Sequence, residues 1–203
     1  IFMDIEIKSL NNESDLTDAF EFVTKELNLK PDHPRDLNFY KKQLSTHPQF
    51  LIYAEYVGKR AGVLLAIPND EDSVLIGELA VLETYRGKGV GSKLIREIEG
   101  RARAFKKKSI LLGALGKADN FYLKNGYKPM LFIQLSGGDR LEELKTFSKE
   151  NNCEDNITWE ENTLETSKII IKTDFIDMDL QDKAEKITNS HTQYLFSKDL
   201  LTS

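Results

Sequence analysis

The chain has 203 residues, of which 40% are hydrophobic and 9% aromatic, enough to bury the core of one domain and a small second one. The net charge is −5, with 20 Lys and Arg against 18 Asp and Glu in residues 1–135 and 8 against 15 in residues 136–203, which argues against nucleic-acid binding. A single cysteine excludes an intrachain disulfide framework, and no apolar run approaches the roughly 20 residues of a membrane helix.

Alternating strand and helix patterns fill the first part of the chain. Apolar residues spaced by three to four positions predict helices over residues 15–29 and 36–44, with Pro31 and Pro34 between them. Stretches rich in β-forming residues predict four strands, over residues 3–9, 50–56, 60–67 and 74–81. The second and third of these strands form a hairpin.

A glycine-rich loop follows the fourth strand and opens a long helix. That helix is predicted over residues 89–105, because its apolar residues recur along one face. Beyond it the pattern predicts a short buried strand over 109–112, a short helix over 117–124 and a strand over 127–135.

The loop Arg86-Gly87-Lys88-Gly89-Val90-Gly91-Ser92 has features of a phosphate-binding site. The first N–H groups of a helix have no intrahelical partner, and the helix dipole makes that end electropositive. Glycines let a pyrophosphate approach the backbone, and two basic side chains add positive charge. An ordinary glycine turn is the alternative, while the spacing fits neither a P-loop nor a dinucleotide-binding fingerprint.

Two sequence blocks around this loop carry a family resemblance. The first is Leu79-Ala80-Val81-Leu82-Glu83-Thr84-Tyr85-Arg86-Gly87-Lys88-Gly89-Val90-Gly91, and the second is Ala118-Asp119-Asn120-Phe121-Tyr122-Leu123-Lys124-Asn125-Gly126-Tyr127. They resemble the acyl-CoA signature and the Ala-x-x-Phe-Tyr-x-x-x-Gly-Phe segment of the GNAT superfamily of N-acetyltransferases. The resemblance covers about residues 3–135. The sequence departs from it at Glu83, where the family often has Pro, and at Leu115, where it often has Asn.

The resemblance implies an α/β (α+β) fold. The expected GNAT sheet is mixed and mostly antiparallel, with helices on both faces and two splayed parallel strands, here residues 74–81 and 109–113. Residues 1–135 would form the acetyltransferase domain and bind acetyl-CoA between the splayed strands. Backbone groups of Leu79, Ala80 and Val81 would pair with the pantetheine arm. The other cofactor contacts would come from Arg86, Gly87, Lys88, Gly89, Val90, Gly91, Ser92 and Asn120.

Amine acetylation requires a base, because a lysine-like amine is mostly protonated at neutral pH. Glu78 is the candidate, since a carboxylate is unusual on an apolar strand face. The alternatives are a carboxylate paired with Lys or Arg, or one exposed at the strand edge, with water as the base. A backbone N–H near Ala80 would stabilise the tetrahedral intermediate. By the resemblance, Tyr122 would donate a proton to the departing CoA sulfur, and the alternative is a core aromatic residue.

Residues 136–203 are predicted to form an acidic α/β extension. Helical patterns cover residues 140–147 and 180–187, and strand patterns cover 169–173 and 194–196. A cap on the substrate cleft, a homodimer contact and an added subdomain are the open alternatives for its role.

The sequence therefore predicts an N-acetyltransferase that moves an acetyl group from acetyl-CoA to a primary amine by direct attack in a ternary complex. The alternative is a non-catalytic GNAT-fold module that binds acyl-CoA and regulates a partner. The histidines show no ligand spacing, so we predict no metal, and neither nucleic acid nor membrane is expected as a partner. Because the N-terminus lacks signal-peptide features, we expect a cytoplasmic protein.

Overall fold

The computed structural model describes residues 4–114 and 118–201, which divide into two compact units. The first unit holds residues 4–111 and 199–201, and the second holds residues 112–114 and 118–198. Leu115, one of the two departures from the GNAT pattern, lies outside the described residues. So do Met3 and Lys117, which begin the strand predicted at 3–9 and the helix predicted at 117–124.

The first five strands of the chain, which begin in the first unit, are neighbours in the sheet in the same order as in the sequence. They are β1 (Ile5–Ser9), β2 (Leu51–Tyr56), β3 (Lys59–Pro68), β4 (Ser73–Val81) and β5 (Ser109–Gly113). The first four pair antiparallel, and β5 lies parallel to β4. The β2–β3 turn places Val57 and Gly58 at φ values of 49° and 69°, which suit the twist of a tight hairpin.

Three helices pack on this unit. They are α1 (Glu13–Leu27), α2 (Leu37–Thr46) and α3 (Val90–Ala104). The side chain of Asn12 accepts a hydrogen bond from the Asp15 N–H at the start of α1, and Asp36 accepts one from the Phe39 N–H at the start of α2. These caps satisfy N–H groups that a helix leaves without an intrahelical partner.

Neighbouring residues of β3 reveal which helix covers which face. Val63 lies in a buried cluster with Leu16 of α1. A side chain on the adjacent Gly62 would instead meet Val90 and Leu94 of α3. Because successive residues of a strand point to opposite faces, α1 and α3 cover opposite faces of the sheet, as predicted.

The second unit contains a four-stranded antiparallel arrangement. Its elements are α4 (Asp119–Lys124), β6 (Lys128–Ser136), α5 (Leu141–Glu150), β7 (Ile157–Asn162), β8 (Thr166–Lys172), α6 (Met178–Glu185) and β9 (Ser190–Asp199). The strands lie in the order β9-β6-β8-β7. Since β6 pairs with both β8 and β9, the residues after 136 continue the sheet to which β6 belongs.

The fold class predicted from the sequence is confirmed, as a mixed and mostly antiparallel α/β architecture with parallel β4 and β5. Helices α5 and α6 and strands β8 and β9 correspond to the four patterns found after residue 136. Strand β7 was missed, because its residues after Trp159 are Glu, Glu and Asn, which disfavour strands. None of the helices in the described ranges is both long and apolar enough to cross a membrane.

Candidate active site

The pairing of strand β4 with β3 is irregular next to Glu78, which is the one buried carboxylate among the described residues of β4. Leu65 of β3 lies opposite Glu78, but the next residue, Ala66, lies opposite Ile76. Gly77 is therefore the extra residue of a β-bulge, a feature that redirects side chains and bends a strand. Glu78 is only 2% exposed, so its carboxylate lies in the protein interior as the sequence pattern predicted.

Both carboxylate oxygens of Glu78 are in contact with polar side chains. The Nε of Arg35 donates to Oε1 over 3.1 Å, and the Nε2 of His33 lies 3.5 Å from the same oxygen. The hydroxyl of Tyr40 donates to Oε2. Pairing with Lys or Arg was the alternative to a role for Glu78 as the base. The structure shows this pairing, with Arg35, at the same residue that is proposed as the base.

This environment changes the acidity of Glu78. Burial raises its pKa from the ordinary 4.5 to about 7, while the charge and hydrogen bond of Arg35 act in the opposite direction. A carboxyl group with that pKa exchanges its proton near neutral pH. Such a group is well matched to general-base catalysis at physiological pH.

Gly77 leaves the space in which this cluster forms. A Cβ atom at position 77 would overlap the hydroxyl oxygen of Tyr40 and would lie 3.0 Å from the Nε of Arg35. Any larger residue at the bulge would displace one of the two side chains that contact Glu78.

The edge of β4 that faces away from β3 is defined by the strand register. The Leu82 N–H donates to the Ala61 carbonyl, so residues two positions further along, Ala80 and Val63, form the next hydrogen-bonded pair. The backbone of Ala80 is therefore directed toward β3. The polar backbone groups of Leu79 and Val81 point to the opposite edge, the one on which β5 lies.

The loop after β4 has the backbone geometry that its glycines predict. Gly87 and Gly89 have φ values of 71° and 84°, in the left-handed region that favours glycine. Gly89 starts α3 without a side-chain cap. The first intrahelical bond runs from the Lys93 N–H to the Gly89 carbonyl, so the N–H groups of Val90, Gly91 and Ser92 belong to the turn that lacks intrahelical partners.

The two basic residues of the loop differ in their contacts. Arg86 donates from Nε to the Val81 carbonyl over 2.9 Å and from its terminal nitrogen to Glu26 over 3.1 Å. It therefore fastens the loop to the end of β4 and to α1. Lys88 is exposed, and its Nζ lies 5.8 Å from the centre of the Tyr85 ring.

Comparison with known proteins adds a family assignment to this geometry. Residues 47–129, which include β4, the glycine loop and α3, match the family model of the acetyltransferase (GNAT) domain. This part of the chain is therefore similar to GNAT acetyltransferase domains. No curated protein sequence matches the chain significantly.

Solved acetyltransferase structures share the fold of this chain. A protein from Pyrococcus horikoshii, solved as a candidate acetyltransferase, has 13% identity and a TM-score of 0.56, over 98% of this chain and 90% of that one. Ard1 from Thermoplasma volcanium has 15% identity and a TM-score of 0.52, over 83% and 97%. The NatC complex bound to Gag peptide and CoA contains a chain with 19% identity and a TM-score of 0.50, over 84% and 99%.

The second block of the GNAT resemblance lies in the second unit. Tyr122 of α4 is buried, and its ring contacts Phe121, Tyr127 and Phe196. Burial raises the pKa of its hydroxyl to about 12, so the phenol keeps its proton throughout the physiological range. Asn120, the remaining predicted cofactor contact, is exposed on the same short helix.

Three residues around Glu78 were not found from the sequence. His33, Arg35 and Tyr40 precede the GNAT motifs by some 40 positions, and no short-range pattern connects them to β4. Gly77 did carry a signal, because an isolated glycine inside a strand pattern often marks a bulge. Among the described residues, no group of three or more His, Cys, Asp and Glu side chains is arranged to hold a metal ion.

Proposed function

We propose that this protein transfers an acetyl group from acetyl-CoA to a primary amine, with both substrates bound at once. The observation that carries the proposal is Glu78, a buried carboxyl group with a pKa of about 7 on the strand that leads into the glycine loop. A group with these properties can accept a proton from an amine at neutral pH.

The backbone of the loop supports the acetyl-CoA part of the proposal. The N–H groups of Val90, Gly91 and Ser92 would hold the pyrophosphate, with Gly87 and Gly89 allowing its close approach and Lys88 adding charge. Leu79 and Val81 have the backbone direction needed to pair with the pantetheine arm. Arg86 would contribute indirectly to cofactor binding, because its hydrogen bond to the Val81 carbonyl holds the glycine loop in place. The NatC structure, which has the same fold, contains CoA.

In the proposed reaction, the amine nitrogen attacks the thioester carbonyl carbon and a C–N bond forms. Glu78 accepts the proton that the amine loses. A backbone N–H of Leu79 or Val81, next to Ala80, stabilises the negative charge on the former carbonyl oxygen. The C–S bond then breaks, and Tyr122, whose hydroxyl keeps its proton at neutral pH, donates that proton to the CoA sulfur. The products are an acetylated amine and free CoA.

Cytoplasmic location, a homodimer contact through residues 136–203 and the boundary at residue 136 stay predictions of the sequence. The acidic extension is compatible with a cationic acceptor, because residues 136–203 carry 15 Asp and Glu against 8 Lys and Arg.

The test is CoA release from acetyl-CoA, measured as free thiol with a panel of polyamines, amino acids, aminoglycosides and peptides. The proposal predicts amine-dependent thiol release by the wild-type chain and a large loss in Glu78→Gln. Binding of CoA in calorimetry without thiol release from any amine would favour the non-catalytic acyl-CoA-binding module instead.

A further inference from the structure

Side chains from the α1–α2 connection and from α2 enclose the proposed base. Arg35 and His33 are 28% and 22% exposed, while the Glu78 side chain beneath them is 1% exposed. Tyr40 is fully buried. The carboxylate is therefore separated from solvent by residues that lie outside its own strand.

Arg35 is attached to the bulge at two points. Its Nε donates to Glu78, and its terminal nitrogen lies 3.4 Å from the Gly77 carbonyl, to which it donates. A planar guanidinium held at two points has a fixed orientation, which a lysine ammonium would not reproduce. The position of the charge relative to Oε1 is thus determined by the backbone of β4 itself.

The charge of Arg35 opposes the effect of burial on Glu78. A carboxyl group removed from water favours its neutral form, and an adjacent cation restores the ionised form that a base needs. The groups facing Glu78 are Arg35 and His33 from the α1–α2 connection and Tyr40 from α2, whereas the residue opposite on β3, Leu65, is apolar and buried.

We infer that Arg35 is a positioning residue for acetyl transfer, which holds Glu78 in one orientation and in its ionised form while Tyr40 fixes the second oxygen. This inference rests on the proposed role of Glu78 as the base. It assigns a function to the α1–α2 connection that the GNAT motifs of the chain do not contain.

The test compares kcat/KM against pH for the wild type, Arg35→Gln and Arg35→Lys, with the same amine throughout so that its own titration is common to all. Removing the cation in Arg35→Gln should shift the acidic limb of the kcat/KM profile to a pH higher by about 1 to 3 units. At alkaline pH, kcat/KM should return largely to the wild-type plateau. Arg35→Lys should show a smaller displacement. Lys41→Gln is the matched control, because Lys41 of α2 pairs with Glu13 and its loss should leave the limb in place.

If Arg35→Gln is too slow to assay, the titration of Glu78 can be measured directly. The carboxyl ¹³C resonance of Glu78, assigned by its absence in Glu78→Gln, should titrate at a higher pH in Arg35→Gln than in the wild type. If Glu78→Gln loses the acidic limb but Arg35→Gln keeps both the wild-type limb and the wild-type Glu78 titration, the role of Arg35 alone would be overturned. A wild-type profile in Glu78→Gln would overturn the base assignment and this inference together.

Discussion

Arg35 precedes Glu78 by 43 positions, and its Nε donates to Oε1 of that buried carboxylate over 3.1 Å. The contact joins the segment before α2 to the bulge of β4. Because the carboxylate is the proposed base, the reactivity of the site depends on a residue that lies far from the glycine loop in sequence. The stability of the fold depends on the same buried group.

The stability of the protein should depend on the titration of Glu78. Its folded pKa of about 7 lies above the ordinary 4.5, so the folded state binds the proton more tightly than the unfolded chain does. The resulting stabilisation is fully present below pH 4.5 and is lost as pH rises through about 7. Denaturant unfolding from pH 4.5 to 8 should show the wild type losing about 3 kcal/mol relative to Glu78→Gln. Parallel pH dependences would exclude the raised pKa.

Substitution of the bulge glycine should disturb the cluster around Glu78. The Cβ of Gly77→Ala would overlap the Tyr40 hydroxyl, and overpacking of this kind costs about 1 to 3 kcal/mol of unfolding free energy. Removing that hydroxyl in Gly77→Ala/Tyr40→Phe should recover part of the loss. A double-mutant cycle by chemical denaturation measures the coupling. Strictly additive effects would mean that the two positions do not compete for space.

Left-handed backbone at the helix start should make Gly89 sensitive to substitution. No atom lies within 4 Å of a Cβ built there, so the cost of Gly89→Ala is conformational, about 1 to 2 kcal/mol at a φ of 84°. Distortion of the first turn should weaken CoA binding by about tenfold, a change of roughly 1.4 kcal/mol in calorimetry.

Gly100→Ala provides the matched control for Gly89→Ala. Gly100 lies within α3, with open space around its Cβ position, so alanine should stabilise the helix by up to about 1 kcal/mol and leave CoA affinity unchanged. Equal affinities for the two variants would remove the loop from the CoA site.

The hydroxyl of Tyr122 should matter to turnover more than to folding. Tyr122→Phe keeps the ring contacts with Phe121, Tyr127 and Phe196, while loss of a general acid typically lowers kcat by about 100-fold or more. Tyr194→Phe is the counterpart, because the Tyr194 hydroxyl bonds the backbone of Asp177. It should cost about 1 kcal/mol of stability and leave kcat unchanged. Wild-type turnover by Tyr122→Phe would end the acid assignment.

Local patterns predicted most of the elements because they depend on neighbouring residues. The apolar spacing of α3 and the alternation along β4 reflect which face of each element is buried. Gly87 and Gly89 lie in a predicted loop, where glycine commonly adopts the positive φ values that they have. Glu78 was identified because a carboxylate on a buried strand face is costly unless it is paired or protonated.

The contacts of Glu78 could not be predicted in the same way. Arg35 and Tyr40 reach it through the packing of α2 on the sheet, and such long-range contacts leave no periodic signal in one sequence. Glu99 illustrates the same limit, since its position among the polar residues of α3 gave no indication that it would be buried. Strand β7 was hidden because its polar residues suit a strand at the end of the order β9-β6-β8-β7.

The role of Glu78 as the base is tested by the pH dependence of kcat/KM for acetyl-CoA-dependent amine acetylation, compared between the wild type and Glu78→Gln. The wild-type rate should rise with a midpoint near pH 7, set by the pKa of Glu78, and this rise should be absent in Glu78→Gln. The same midpoint and the same rates in both enzymes would exclude Glu78 as the base.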